Sequence, residues 1–286
     1  MSVLLGAVAY DTKVVTIWDG FRGWLRSAGL DFDYVLYSNY ERQVTDLVDG
    51  RIDAAWNSPL AWVRARRLAA HRGVPLTPLT MRDTDCDLRS VIVVRSDSPV
   101  RAVSDLAGRI VATGAVDSPQ ATLLPLSLLR SLGLEPEADF AVRRFDVGVG
   151  LHGDHIGGER DAARALFATD PADRADAACM TDSNLLLFGR EGTLPAGAVR
   201  VLAQTPLYDH CTLTAHGSLT ADISRLGELL RGMDYADATL RPLLDLEGLK
   251  EWRAPRVTGY AHLERAVDEA GFYDADGAVT APDYRP

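Results

Sequence analysis

Short runs of Val, Ile, Leu and Ala alternate along this chain with longer segments of helical periodicity, and this alternation constrains the fold more than any other feature. In the first half, SVLLGAVAY precedes a helical pattern at about residues 15–28, and DYVLYS precedes another at about 40–48. IDAAW then indicates a short buried strand. Such alternation is typical of βα units on a mostly parallel sheet. The sequence therefore predicts the α/β class.

A second series of the same kind opens with RIVATG and ends with VRVLAQTP. The segment RIDAAWNSP (51–59) of the first series is similar to RADAACMTD (174–182) of the second. Each is a strand that leads into the start of a helix. Because open α/β sheets bind ligands beyond the carboxyl ends of their strands, we expect the two units to face a shared crevice.

Composition and charge exclude several classes of function. With 286 residues, 47% of them hydrophobic, the chain can form two domain cores. The formal net charge is -10, and no Lys/Arg cluster is interleaved with aromatic residues, so nucleic acid is not an expected partner. Three scattered cysteines without a CxxC pair indicate neither a disulfide framework nor a zinc knuckle.

The chain contains no apolar run of the roughly 18 residues that span a bilayer, so a membrane-embedded protein is not expected. Its first segment, MSVLLGAVAYDTK, lacks the basic and small-residue features of a signal peptide and is interpreted as a strand. The sequence as written therefore predicts a cytoplasmic protein. If a leader has been removed, a periplasmic or lipid-anchored location is expected instead.

Helix starts supply the first candidate binding residues, because their backbone N–H groups and dipoles attract anions. Four such starts are WNSPLAW, GAVDSPQATLLPL, GLHGDHIGGERDA and MTDSNLLLF. The candidate polar residues at these starts are Asn57, Ser58, Asp117, Ser118, Gln120, Thr181, Asp182 and Ser183. Trp56, at the end of a strand, and His210, in YDHC, are compatible with either a cleft or an ordinary structural position.

The segment HGDHIGG (152–158) has three interpretations. It can form an anion cradle in which His152 or His155 donates a hydrogen bond and the glycines let a ligand approach the backbone. It can contribute a metal site, with His152, Asp154 and His155 as ligands and with His210 and Cys211 as further candidates. It can also be structural, with Asp154 capping the helix. It resembles half of the metallo-β-lactamase signature, but Gly150 stands where the leading histidine belongs.

Three longer segments, YERQVTDLVDGRIDAAWNSPLAW, VRSDSPVRAVSDLAGRIVATG and DHCTLTA, resemble the phosphonate/phosphite-binding proteins of ABC importers. The resemblance covers nearly the whole chain and implies the type II periplasmic-binding-protein fold. One domain would comprise residues 1–95 and 206–286, and the other residues 96–205. Two hinge crossovers near SVIVVR and RVLAQT would join them, and a ligand cleft between them would close on the ligand.

The same resemblance implies roles for individual residues. Aromatic residues of the family's binding site correspond to Tyr10 and Tyr40. The family's phosphonate-binding turn falls on residues 118–121, where only Ser118 is retained. Arg89 adds a cation near the position where the family often has tyrosine. The family's histidine corresponds to His152 or His155, and its acidic residue to Asp182.

Two functions remain open at this point. The first is a solute-binding protein that closes on a small anion or zwitterion of phosphonate, phosphate or carboxylate type, with an ABC permease as partner if the protein is exported. The second is a cytoplasmic decarboxylase-, dehydratase- or lyase-like enzyme of the same fold. In that enzyme His152, His155, His210 and Asp182 would be the acid/base candidates. No cofactor is expected, apart from a metal ion if HGDHIGG binds one.

Overall fold

Two separate β-sheets organise the molecule, seen here in a computed structural model that describes residues 2–146 and 156–285. The strands of the first sheet are β1 (Val3–Val8), β2 (Phe32–Tyr37), β3 (Ala54–Asn57), β4 (Leu76–Arg82), β10 (Thr212–His216) and β11 (Trp252–Arg253). Their order is β11-β4-β10-β3-β1-β2. β2, β1 and β3 are parallel, whereas β10 runs antiparallel to both of its neighbours.

The second sheet repeats this arrangement. Its strands are β5 (Ser90–Arg95), β6 (Ile110–Thr113), β7 (Ala141–Arg144), β8 (Ala177–Thr181) and β9 (Val199–Gln204), in the order β7-β6-β8-β5-β9. β7, β6 and β8 are parallel, and β5 is antiparallel to both neighbours. β3 and β8, which contain the two similar sequence segments, therefore occupy equivalent positions in the two sheets.

The helices are amphipathic and pack on the sheets. Their bounds are α1 (Lys13–Ser27), α2 (Tyr40–Val48), α3 (Pro59–Arg72), α4 (Leu124–Ser131), α5 (Ile156–Ala165), α6 (Asp182–Arg190), α7 (Ala221–Arg231), α8 (Arg241–Glu247) and α9 (Ala261–Ala270). In α1 the buried residues Val14, Ile17, Trp18, Phe21 and Leu25 follow the helical repeat and form one apolar stripe. No helix within the described ranges combines the length and apolarity needed to cross a membrane.

The chain crosses from one sheet to the other twice, between β4 and β5 and again between β9 and β10. These two crossing segments, the passages, lie side by side. Leu88 and Tyr208 exchange backbone hydrogen bonds of 2.8 and 2.9 Å across them. β5, which we expected at the end of the first domain, is hydrogen-bonded to β8 and β9 and belongs to the second sheet. The first passage therefore precedes Ser90 and does not follow Arg95.

The C-terminal segment packs against both halves of the molecule. Leu263 and Phe272 lie in one apolar cluster with Leu60 of α3 and Leu124 of α4. These helices flank different sheets, so the segment fills the space between the two halves with apolar side chains.

Candidate ligand-binding site

A cavity of about 340 Å³ opens beyond the carboxyl ends of β1, β3 and β8. This is the position at which α/β sheets bind ligands. Residues of the first half, the second half and the two passages all line it. They are Tyr10, Lys13, Tyr40, Trp56, Arg82, Thr84, Asp85, Leu88, Gln120, Glu159, Thr181, Ser183, Asn184, His210, Cys211, Glu247 and Gly248.

Eight of the candidate residues named from the sequence line this cavity: Tyr10, Tyr40, Trp56, Gln120, Thr181, Ser183, His210 and Cys211. Tyr10 follows β1, Tyr40 begins α2 and Trp56 lies near the end of β3. Gln120 lies in a short π-helix, Pro119–Leu123, that precedes α4. These residues come from six different segments of the chain, and the fold brings them to one cavity.

Three polar candidates at helix starts do not line the cavity, because they are buried and bonded within the protein. The Ser58 hydroxyl accepts a hydrogen bond from the backbone N–H of Ala61 at 3.2 Å and so caps α3. Ser118 makes the equivalent bond with Ala121 at 3.1 Å. Asn57 accepts a hydrogen bond from the Gln43 side chain at 3.1 Å. Their side chains serve the helix starts and the strand themselves.

Arg89 and Asp182 lie next to each other but not on the cavity wall. The backbone N–H of Asp182 donates to the Arg89 carbonyl at 3.0 Å, which joins the start of α6 to the start of β5. The Asp182 side chain is exposed, and Arg89 is half-buried. The acidic residue of the second half that does line the cavity is Glu159 of α5.

His152, Asp154 and His155 lie outside the described residues. Gly158, from the same segment, is buried in α5, where an added Cβ would lie 2.5 Å from the Phe145 carbonyl oxygen. The small size of Gly158 therefore allows α5 to pack against a neighbouring backbone. At Gly158 the atom that comes close to the backbone belongs to the protein, so this glycine has a packing role in the fold.

A buried charged cluster centred on Arg82 forms one wall of the cavity. The Arg82 guanidinium donates to both carboxylate oxygens of Asp85, at 2.5 and 3.0 Å, and to Glu247 at 3.2 Å. It also lies 5.3 Å from the centre of the Trp56 ring, which supports it by a cation–π contact. The orientation of Arg82 is thus fixed by three neighbours.

The two carboxyl groups of this cluster have opposite pKa shifts. Burial alone would raise the pKa of Asp85, but the attraction of Arg82 and a hydrogen bond with His210 outweigh it and hold that pKa well below its usual range. For Glu247, burial dominates and raises the pKa to about 7, because Arg82 is shared with Asp85 and the Asp85 charge repels a second carboxylate. Asp85 is therefore charged at neutral pH, and Glu247 titrates there.

On the opposite wall, Glu159 occupies part of the N-terminus of α6. Its carboxylate accepts hydrogen bonds from the Thr181 backbone N–H at 2.9 Å and from the Asn184 side chain at 2.7 Å. Thr181 is the N-cap of this helix. The protein's own carboxylate thus uses some of the donors that we expected to face an anion.

Lys13 gives the cavity a cation that is not paired with any carboxylate of the described residues. Its ammonium nitrogen lies 5.6 Å from the centre of the Tyr10 ring. In the part of the chain that the structure describes, Lys13 forms no ion pair, whereas Arg82 forms two. Lys13 is also exposed, so it is available to a solute that enters from solvent.

Sequence reasoning missed most of the charged residues of the cavity. Arg82 and Asp85 have a detectable signal, since MRDTD places opposite charges three residues apart at the end of β4. Lys13 is one of only two lysines in the chain and begins the first helix after Tyr10. Glu159 and Glu247 lie in helices whose sequence patterns do not distinguish them from surface residues.

Comparison with known proteins gives one family match and many structural matches. The sequence matches a family described as "ABC transporter, phosphonate, periplasmic substrate-binding protein" over residues 7–260. No curated protein matches it. PhnD1 from Prochlorococcus marinus (MIT 9301), solved with methylphosphonate, has a TM-score of 0.65 and 18% identity over 94% of this chain and 98% of its own.

Two other structures show the same fold. XAC2383 from Xanthomonas citri, solved with ATP, has a TM-score of 0.66 and 17% identity over 94% of this chain and 97% of its own. The aliphatic sulphonate-binding protein SsuA from Escherichia coli has a TM-score of 0.55 and 17% identity over 100% of this chain and 94% of its own. At such identities the likeness establishes the fold.

The family match covers most of the chain, and the structural matches extend over nearly all of it. The predicted type II periplasmic-binding-protein fold and the predicted solute-binding function are confirmed. The chain belongs to the family of periplasmic substrate-binding proteins of phosphonate ABC transporters.

Proposed function

We propose that this protein binds a small anionic or zwitterionic solute, of phosphonate, phosphate or carboxylate type, in the cavity between its two sheets. The observation that carries the proposal is the lysine at the cavity: Lys13 has no carboxylate partner among the described residues, lies beside Tyr10 and shares the cavity with Trp56. An anionic group would pair with Lys13, and the aromatic side chains would contact the remainder of the solute.

The remaining charges favour a solute that also carries a positive group. Glu159 is held at the N-terminus of α6 and Glu247 is buried beside Arg82, so both walls contain carboxyl groups. A polyanion would be repelled by these groups, whereas an ammonium group would be attracted to them. A short zwitterion with its anionic end at Lys13 therefore fits the cavity better than a multiply charged anion.

We further propose that the two sheets belong to two lobes that close on the solute. The lobe of the first sheet would comprise residues up to about 89 together with 206–286, and the second lobe the residues between. This moves the first crossover from our earlier boundary at residue 95, because β5 belongs to the second sheet. The adjacent passages at Leu88 and Tyr208 would form the hinge.

The family of this protein is described as periplasmic substrate-binding proteins of phosphonate ABC transporters. We propose the same location and an ABC permease as the partner of this protein. The solute would then be bound, carried and released without chemical change.

Isothermal titration with methylphosphonate, a short aminoalkylphosphonate, inorganic phosphate and a small amino acid tests the binding proposal. We expect saturable binding, tightest for the zwitterionic phosphonate. Lys13→Met should bind about tenfold more weakly, because an exposed charge-assisted hydrogen bond contributes about 1.4 kcal/mol to the free energy of binding. Phosphorus NMR after incubation should show the solute unchanged.

The matched control is Lys250→Met. Lys250 is the other lysine of the chain, is also exposed and lies 5.7 Å from the centre of the Tyr235 ring, but it is not at the cavity. Equal affinities of the Lys13 and Lys250 variants would contradict the proposed role of Lys13. Conversion of the solute to a product would contradict the function as a binding protein.

A further inference from the structure

Three side chains with metal-binding atoms converge where the second passage meets the wall of the cavity. The imidazole Nδ1 of His210 lies 3.3 Å from Oδ1 of Asp85 and 3.2 Å from Sγ of Cys211. The three candidate ligand atoms all lie within 4.8 Å of one another. All three residues are also among those that line the cavity.

The two separations from His210 Nδ1, to Asp85 and to Cys211, are close to those of a tetrahedral metal centre. With metal–ligand bonds of about 2.0–2.3 Å, neighbouring ligand atoms of a tetrahedral zinc site are roughly 3.3–3.7 Å apart. One imidazole, one thiolate and one carboxylate are ligand types that Zn²⁺ and related transition-metal ions accept. Three protein ligands also leave a fourth position for a water molecule or a solute.

The backbone holds the three ligands in place without a metal. The His210 N–H donates to the Asp85 carbonyl at 2.8 Å, and the Cys211 N–H donates to the Asp85 carboxylate at 3.2 Å. The Tyr260 hydroxyl donates to the His210 carbonyl at 2.7 Å. The segment at His210 and Cys211 is thus fixed on both sides, which reduces the entropy lost when a metal binds.

Arg82 is the principal electrostatic obstacle, because its guanidinium is bonded to both oxygens of Asp85. The shorter bond joins Nε to Oδ2. Oδ1 faces His210 and accepts two longer bonds, from Arg82 at 3.0 Å and from the Cys211 N–H at 3.2 Å, so a metal would share Oδ1 with these two donors. Glu247 lies 3.2 Å from the same guanidinium. Two carboxylates and one thiolate together balance the charges of Arg82 and a divalent ion, so the cluster can accept such an ion without an excess of positive charge.

We propose that Asp85, His210 and Cys211 bind one divalent transition-metal ion of the Zn²⁺ type, with its remaining coordination position open to the cavity. This site lies beyond the solute-binding function and does not depend on the identity of the solute. It also differs from the metal site considered for His152, Asp154 and His155.

The test uses the full chain without a histidine tag, first freed of metal with a chelator. Titration with CoCl₂ should give one equivalent of bound Co²⁺ and a thiolate-to-cobalt charge-transfer band in the near ultraviolet. Zn²⁺ should displace the cobalt and abolish the band. Competition between the protein and a chromophoric chelator for ZnCl₂ then gives the affinity.

Cys211→Ser should lose the charge-transfer band and bind Zn²⁺ at least about tenfold more weakly, and His210→Gln should also bind more weakly. Cys86→Ser is the matched control, because Cys86 is a free cysteine four residues from Arg82 that does not belong to the cluster. It should keep the band and the affinity. Circular dichroism would show that each variant is folded.

The proposal is overturned if the wild-type protein gives no charge-transfer band with stoichiometric Co²⁺, or if Cys211→Ser keeps that band. Loss of the band in Cys86→Ser would also overturn it, because the thiolate ligand would then be Cys86. Solute titrations of the metal-free protein separate this result from the solute-binding proposal, since either can fail while the other holds.

Discussion

Glu247 provides a quantitative test of the electrostatics of the cavity. Its buried side chain has a pKa of about 7, above the ordinary value of 4.5, so the folded protein holds this proton after the unfolded chain has released it. Stability must therefore fall as the pH rises from about 4.5 to about 7. The full difference corresponds to about 3 kcal/mol, most of which is lost between pH 5 and pH 8.

Glu247→Gln removes this titration and keeps the shape of the side chain. Relative to wild type, the variant should therefore gain about 2–3 kcal/mol in free energy of unfolding between pH 5 and pH 8. Urea unfolding of the metal-free protein at both pH values, followed by tryptophan fluorescence, measures this gain. The Glu247 side chain is buried, so solvent screens its charge little.

Glu251→Gln controls for the loss of one negative charge, because Glu251 is exposed and pairs only with Arg253 in the described part of the chain. Its stability relative to wild type should be the same at pH 5 and pH 8. The reasoning is refuted if the difference between Glu247→Gln and wild type does not change with pH, or if wild type gains on the variant as the pH rises.

Two further substitutions, Gly259→Ala and Tyr284→Phe, test the packing around the passages and the C-terminal segment, and Gly189→Ala is the control for the first. Gly259→Ala should reduce the free energy of unfolding by about 3 kcal/mol, because its new methyl group would collide with the buried carboxylate of Asp209. Gly189→Ala, in a helix with open space around it, should instead be neutral or stabilise by up to about 1 kcal/mol in the same urea assay. Tyr284→Phe removes a hydroxyl that donates to buried Glu41 at 3.1 Å and should cost about 1–2 kcal/mol. An unchanged thermal midpoint would contradict that contribution.

The fold could be predicted from the sequence because its determinants are local. Each predicted strand and helix of the βα series is encoded by a run of apolar residues or by a helical stripe, as in α1 and β3. The place of β5 could not be predicted in this way. A strand at a crossover has the same apolar composition in either sheet, and only its hydrogen bonds to β8 and β9 decide between them.

The binding cavity could be predicted only in part, for two physical reasons. A serine that begins a helix can contact a ligand, but its hydroxyl oxygen can instead accept a hydrogen bond from the helix backbone. Ser58 and Ser118 do so and are buried. Charged residues such as Glu159 and Glu247 reach the cavity through the tertiary packing of distant segments. No local pattern separates such a carboxylate from one that faces solvent.

A crystal structure of the protein with the solute that binds most tightly tests the central claim most directly. We expect the solute between the two sheets, with its anionic group at Lys13 and with contacts to Trp56 on one side and to Gln120 or Asn184 on the other. A solute bound elsewhere, or one that contacts only one of the two halves, would contradict the claim that both halves form a single binding site.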